Sequence, residues 1–155
     1  MMEMAHQPGT RKNLDSFDIS AFSSQPDLLI LSLNIASLPK HYDDLLILLS
    51  QSKYTPDIIA LTEVRLCNGE EHTVSIDGYN SFFSLRNDKK PGGVGIYIKS
   101  NLVGKQLELS CQGAESLFIE IISKDTAQTL TISSIYRHPS DNKETFINGL
   151  EVGLF

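Results

Sequence analysis

The segment PDIIALTEVRL, residues 56–66, decides the fold of this 155-residue chain. It is continuously apolar from Ile58 to Leu61, which is typical of a strand that is buried on both faces in an α/β sheet. The strand then delivers a carboxylate, Glu63, to its carboxyl end. Functional groups of α/β proteins collect at such strand ends, so Glu63 is either a metal ligand or an ordinary solvated carboxylate.

The residues before this segment predict a βαβ unit. Residues 28–33 are nearly continuously apolar, which predicts a strand covered on both faces that ends in Asn34. Pro39 suits the first turn of a helix, and we expect that helix over residues 40–52. The apolar residues on one face of this helix are Tyr42, Leu45, Leu46 and Leu49. A helix of this length can connect two parallel strands, so Asn34 and Glu63 should lie at the same edge of one sheet.

The rest of the chain has a shorter, strand-like rhythm with turn signals between the apolar runs. We expect strands near 79–85, 93–99, 105–109, 116–122 and 129–136, and the start of a helix over 143–150. Consecutive short strands of this kind favour antiparallel pairing. Residues 1–26 are polar and without period, which predicts a leader or linker, and residues 27–155 form the predicted domain.

Charge and cysteine usage limit the classes of function that the sequence indicates. The chain has 13 Lys and Arg against 19 Asp and Glu, a net charge of −6, so it cannot hold nucleic acid by its overall charge and would need a local basic patch. The clustered candidates for such a patch are Arg86, Lys89 and Lys90. Cys67 and Cys111 lie far apart, with no CxxC motif and no His at ligand spacing, so the sequence indicates neither a zinc site nor a disulfide framework. No signal peptide or membrane-spanning run is present in the sequence, so we expect a soluble, intracellular protein.

Three strand ends carry chemistry that fits a metal and a phosphate. The amide oxygen of Asn34 and the carboxylate of Glu63 are hard ligands, suited to Mg²⁺ or Mn²⁺. Tyr136 also ends an apolar strand and is followed by Arg137 and His138, so its phenol could contact a phosphate oxygen. Each residue also has an ordinary interpretation: the Asn as a turn residue, the Glu as a solvated side chain and the Tyr as a half-buried strand residue.

Five short segments, taken in order, resemble one known family. They are LSLNI (31–35), PDIIALTE (56–63), GGVGIYI (92–98), ESL (115–117) and IYRHP (135–139). Together they resemble the endonuclease/exonuclease/phosphatase superfamily, most specifically the apurinic-type endonuclease domain of non-LTR (LINE-like) retrotransposons. The resemblance covers about residues 27–150.

The resemblance implies a fold, an activity and a set of roles. The fold would be a four-layer α/β sandwich of two facing mixed sheets flanked by helices, and the activity a Mg²⁺-dependent (or Mn²⁺-dependent) nicking of DNA. Glu63 would be the principal metal ligand, Asn34 would help set the metal and phosphate site, and Tyr136 would contact the scissile phosphate. The residues that it would place near DNA are Arg65, Arg86, Arg137 and His138. In the full-length relative a reverse transcriptase domain lies in cis, and the site of action is nuclear.

One part of the family's pattern is missing from the sequence. Its Gly-Asp-x-Asn segment and its terminal Ser-Asp-His have no counterpart before Phe155. The chain is therefore expected to be a C-terminally truncated domain that exposes apolar sheet surface and unpaired strand edges and is inactive alone. The alternatives are a non-catalytic remnant or binding module and, with less support, a phosphoesterase that acts on a small phosphorylated substrate.

Overall fold

The computed structural model describes residues 28–86, 92–123 and 128–154, and these contain seven strands and two α-helices. The elements are β1 Ile30–Asn34, α1 Leu38–Gln51, β2 Ile58–Thr62, β3 Tyr79–Ser84, β4 Val94–Lys99, β5 Val103–Gln106, β6 Glu115–Ile122, β7 Thr129–Tyr136 and α2 Lys143–Leu154. A 3₁₀ turn, Glu71–Val74, was not predicted, and β5 begins and ends earlier than the predicted 105–109. The predicted leader, residues 1–26, lies outside the described residues.

The first sheet confirms the predicted βαβ unit. Its strand order is β1-β2-β4-β3, with β1 parallel to β2 and β4 antiparallel to both of its neighbours. The register pairs Asn34 with Thr62, so the carboxyl ends of β1 and β2 lie side by side. The prediction that β1 is covered on both faces is wrong, because the alternate residues Ile30, Ser32 and Asn34 on one of its faces are exposed, Ile30 to 45%.

The second sheet, β5-β6-β7, is antiparallel throughout and faces the first. Alternate residues of β2 point to opposite sides, as a pleated strand requires. Ile58 and Ala60 pack toward the second sheet against Leu117 and Ile119 of β6. This apolar layer fastens the two sheets together.

Helix α1 covers the other face of the first sheet. Ile59 and Leu61 of β2 pack there with Leu38 and Leu45 of the helix, and all four side chains are almost fully buried. Tyr97 of β4 lies in the same layer, where its hydroxyl donates to the Val74 carbonyl at 2.7 Å. The predicted α/β sandwich, with two facing sheets and helix on the outside, is therefore confirmed.

Apolar side chains lie exposed beside the β1 edge. They include Leu29 and Ile30 before and within the strand and Leu48 of α1. Among the described residues no strand pairs with the outer edge of β1 or of β7. Neither of the two described helices is long and apolar enough to cross a bilayer.

Helix α2 packs closely against the loop before β6 at Gly149, where the helix has no side chain. We predict that Gly149→Ala destabilises the fold. Alanine usually stabilises a helix interior by about 1 kcal/mol relative to glycine. Here a Cβ at position 149 would collide with the backbone oxygen of Gln112 and lie 2.8 Å from its nitrogen. Overpacking of this kind costs about 1–3 kcal/mol, so the expected sign is reversed. Urea denaturation followed by circular dichroism measures the change.

The matched control for this glycine is Asn148→Ala, at an exposed position of the same helix. It should raise stability by a few tenths of a kcal/mol, as helix propensity alone predicts. A Gly149→Ala protein that gained stability as the control does would show that α2 is not held against Gln112.

Candidate functional site

Three strand ends meet at one edge of the sandwich. Asn34 is the last residue of β1, Glu63 follows β2 directly, and Tyr136 is the last residue of β7. The amide nitrogen of Asn34 donates to Glu63 Oε1 at 2.9 Å, and the hydroxyl of Tyr136 donates to the same oxygen at 2.6 Å. The structure thus brings together all three residues that the sequence singled out.

A buried hydrogen bond between the two sheets fixes the position of β7 along the direction of β2. The hydroxyl of Ser134, almost fully buried, donates to the carbonyl of Leu61 at 3.0 Å. Ser134 lies two residues before Tyr136, and Leu61 lies two residues before Glu63. The bond therefore aligns the ends of two strands that belong to different sheets.

The loop that carries Glu63 has an unusual backbone. Glu63 and Arg65 have φ angles of 52° and 50°, in the left-handed region that residues other than glycine seldom adopt. The amide of Val64 donates to the Gly93 carbonyl at 3.1 Å, and the amide of Arg65 donates to the Gly92 carbonyl at 2.7 Å. These bonds to the loop before β4 hold the strained conformation, and such strain concentrates at functional sites.

The hydrogen bonds decide the charge states of the central residues. The Tyr136 hydroxyl, the Asn34 amide and the Arg65 guanidinium lower the pKa of Glu63 to about 2. The same bond to Glu63 raises the pKa of Tyr136. Near neutral pH Glu63 is therefore a carboxylate anion and Tyr136 a neutral phenol that can donate a hydrogen bond.

A second carboxylate, Glu115, lies at the same end of the sandwich and had no predicted role. Its Oε1 accepts a bond from Arg86 Nη1 at 3.0 Å, and its Oε2 accepts the Gly93 amide at 2.6 Å. Gly92 passes so close that a Cβ there would collide with the side chains of both Glu115 and Arg86. Glu115 thus fixes Arg86 and the loop before β4 at the start of β6. The sequence signal was Glu115 at a strand start together with the paired glycines.

A cavity of about 340 Å³ opens beside these residues. Its lining includes Glu63, Arg65, Arg86, Glu115, Tyr136 and His138. Of the predicted nucleic-acid contacts, Arg65, Arg86 and His138 therefore reach the cavity.

Arg137 does not line this cavity, although the sequence grouped it with the other three. Its guanidinium donates to the backbone carbonyls of His138, Pro139 and Asp141, which ties it into its own loop. Lys89 and Lys90 lie outside the described residues. Of the Lys and Arg side chains in the described part of the chain, two thus line the cavity, Arg65 and Arg86.

The donors at this edge fit a hard divalent cation. No group of three or more His, Cys, Asp or Glu close enough to hold a metal occurs among the described residues. Mg²⁺ does not require one, since it is commonly bound by one or two carboxylates together with water and substrate phosphate. Glu63 would supply the carboxylate. The side-chain oxygen of Asn34 accepts the Ala36 amide at 3.1 Å while its nitrogen faces Glu63, so in this arrangement Asn34 orients the carboxylate.

Known structures share this fold. No protein-family model matches the sequence, and a search of the curated proteins finds no match. The human Nocturnin catalytic domain with bound sulfate anion is 18% identical with a TM-score of 0.56, over 82% of this chain and 55% of that chain. D. rerio TDP2 complexed with single strand DNA product is 18% identical with a TM-score of 0.55, over 81% of this chain and 52% of that chain.

At this identity the likeness shows the fold. It is an α/β sandwich in which two facing sheets carry a helix on the outside. The chain spans about half the length of the structures that it matches.

Proposed function

We propose that this chain carries the metal-binding and phosphate-binding part of a Mg²⁺-dependent endonuclease that cuts DNA phosphodiester bonds. The observation that carries the proposal is the carboxylate of Glu63, held as an anion at a strand end by Asn34 and Tyr136. A surface carboxylate without a function needs neither two side-chain donors from two other strands nor a left-handed backbone.

Each residue has a distinct role in this proposal. Glu63 would hold the cation, and Asn34 would fix the carboxylate and complete the metal site. The bound cation would supply Lewis-acid stabilisation of negative charge on the phosphate. Tyr136, whose one hydroxyl proton goes to Glu63 in this structure, would donate it to a phosphate oxygen once substrate binds. Arg65 and Arg86 would balance phosphate charge in the cavity.

Two observations favour DNA over a small phosphorylated substrate. The cavity places two arginines beside Glu63, although the whole chain carries a charge of −6, so the basic character is local to the site. The structural relative from D. rerio is complexed with a single-stranded DNA product. The order of the five short segments supports an origin in the endonuclease of a non-LTR retrotransposon, with a reverse transcriptase domain in cis.

A second candidate function is metal-dependent DNA binding without cleavage. The Gly-Asp-x-Asn and Ser-Asp-His segments of the resembled family have no counterpart in these 155 residues. A general base and its partners are needed to activate water, and a metal ligand alone does not replace them. This observation favours binding alone as the behaviour of the chain in isolation.

We predict that Mg²⁺ strengthens the binding of this chain to a labelled single-stranded oligonucleotide by about 10–100-fold over the same buffer with EDTA. A single charge-assisted contact contributes about 1.5–3 kcal/mol, which corresponds to that range. Fluorescence anisotropy measures the affinity. Ionic strength must be matched with NaCl, because phosphate contacts alone make binding salt-dependent.

Conversion of supercoiled plasmid to the nicked form under the same conditions separates the two candidate functions. Nicking that requires Mg²⁺ supports the endonuclease, and Mg²⁺-dependent binding without nicking supports the binding module. Equal affinity in Mg²⁺ and EDTA, with no nicking, would contradict both.

A further inference from the structure

One side chain already lies on the part of Glu63 that a cation would use. Each oxygen of a carboxylate offers about two lone-pair sites. Oε1 of Glu63 accepts both the Asn34 amide and the Tyr136 hydroxyl, whereas Oε2 accepts Arg65 Nη2 at 2.7 Å. Among the contacts of the described residues, the remaining capacity of this carboxylate is therefore at Oε2, next to a guanidinium.

The backbone of Arg65 is fixed while its side chain is comparatively free. The amide of Arg65 is bonded to the Gly92 carbonyl, and the preceding residue, Val64, is fully buried. The side chain of Arg65 is 42% exposed, against 19% for that of Glu63. Ion pairs with this exposure are weak, so the guanidinium can leave Oε2 at small cost without any change in the backbone.

The ion pair of Glu63 with Arg65 and a divalent cation on Glu63 weaken each other, because the guanidinium and the cation are both positive. Glu63 and Arg65 together are neutral. A divalent cation at Oε2 would lie a few ångströms from the guanidinium, and like charges at this separation repel even in water. A phosphate group in the cavity would accept the displaced guanidinium and remove the repulsion.

We propose that Arg65 and a divalent cation compete for Glu63, so that Arg65 is the counter-ion of the metal-free site and becomes a phosphate ligand once the metal binds. The proposal rests on the proposed function, because it takes Glu63 as the metal ligand. It couples the two ligands: metal releases Arg65 for the nucleic acid, and nucleic acid that holds Arg65 favours the metal. Such coupling is reciprocal by thermodynamic necessity.

The test is Mn²⁺ binding to the full 155-residue chain, measured from the free-ion signal in electron paramagnetic resonance. We expect Arg65→Gln to bind Mn²⁺ about three- to tenfold more tightly than the wild type, because the competing charge is gone. Arg65→Lys keeps the charge and should stay near the wild type. Circular dichroism establishes that every variant is folded.

Arg86→Gln is the matched control for the removal of charge. It removes the same charge from the same cavity, but Arg86 is bonded to Glu115 and not to Glu63. If Mn²⁺ binding tightened equally in both variants, the cause would be the general charge of the cavity, and the proposed competition at Glu63 would be overturned. Competition between Arg65 and the cation predicts a clearly larger gain in Mn²⁺ affinity for Arg65→Gln than for Arg86→Gln.

The coupling gives a second readout. A single-stranded oligonucleotide should tighten Mn²⁺ binding to the wild type, and this effect should be largely lost in Arg65→Gln. Unchanged or weaker Mn²⁺ binding by Arg65→Gln overturns the proposal.

The results also separate this proposal from the proposed function. Tighter Mn²⁺ binding by Arg65→Gln, with DNA affinity equal in Mg²⁺ and EDTA and with no nicking, supports competition at Glu63 but contradicts both the proposed function and the transfer of Arg65 to phosphate. If DNA binding or nicking depends on Mg²⁺ but Mn²⁺ affinity is unchanged in Arg65→Gln, the proposed function is supported and the competition at Glu63 is overturned. No Mn²⁺ binding by any variant overturns both.

Discussion

Replacement of Glu63 with Gln is expected to weaken Mg²⁺ binding by at least about 100-fold. Loss of a group that merely orients a metal ligand typically costs about 10–100-fold in metal affinity or activity, so loss of the ligand's own charge should reach at least the upper end of that range. Glu63 is also the residue at which the donors converge: Asn34, Tyr136 and Arg65 all bond to it. Isothermal titration calorimetry with MgCl₂ measures the affinity.

In the Glu63→Gln variant the oxygen of the new side-chain amide would still accept from Asn34 and Tyr136. Its NH₂ group would face Arg65, and the two groups could not bond because both are donors. The matched control is Glu120→Gln, which removes the same charge from β6 about five residues from the site end of that strand. Its Mg²⁺ affinity should be unchanged. If Glu63→Gln bound Mg²⁺ as well as Glu120→Gln does, Glu63 would not be the ligand, and the Mg²⁺ dependence of DNA binding would need another origin.

Most of what could be predicted from the sequence followed from the apolar runs and from the polar residues at their ends. The strands 28–33 and 57–62, joined by one amphipathic helix, permit a single simple connection, and that connection places Asn34 beside Glu63. Tyr136 was harder to place, since it belongs to the other sheet. Its approach to Glu63 depends on how the two sheets pack, which the order of the resembled segments implied and local pattern did not.

The rest of the site depends on contacts between distant segments. Glu115 and Arg86 meet across the two sheets, and although Glu115 lies in the resembled segment ESL, no local pattern places the two side chains together. The ion pair of Arg65 with Glu63 requires a left-handed backbone at two residues that are not glycine, which propensity predicts against. Arg137 illustrates the reverse error, because a charge next to Tyr136 in sequence bonds its own loop in the structure.

A second large effect is expected far from the site, at the opposite end of β2. Asp57 is 1% exposed, and its carboxylate accepts the ammonium of Lys99 at 2.8 Å and the amide of Leu29 at 2.9 Å. Lys99 also donates to the carbonyl of Thr55 at 3.1 Å. The pair joins the end of β4 to the residues that precede β1 and β2, so three strands of the first sheet depend on it. Lys99 therefore serves the fold.

We predict that Lys99→Met lowers the free energy of unfolding by about 3 kcal/mol. Removal of one partner of a buried ion pair costs about 3–5 kcal/mol, because a buried charge loses its counter-ion. The lower end applies because the side chain of Lys99 keeps 17% exposure. Urea denaturation measures the change, with Lys105→Met, at an exposed position of β5, as a control expected within about 0.5 kcal/mol of the wild type.

A double variant shows whether charge or shape is responsible. Asp57→Asn introduced into Lys99→Met removes the buried charge but keeps an oxygen for the Leu29 amide, so it should regain much of the lost stability. Equal losses in Lys99→Met and Lys105→Met would mean that the pair contributes no more than a surface contact. Because β2 separates Asp57 from Glu63 by about 17–20 Å, a folded Lys99→Met protein should retain the Mg²⁺ affinity of the wild type. Loss of stability without loss of metal binding would then distinguish the two ends of this strand, one of which holds the sheet together while the other presents the carboxylate.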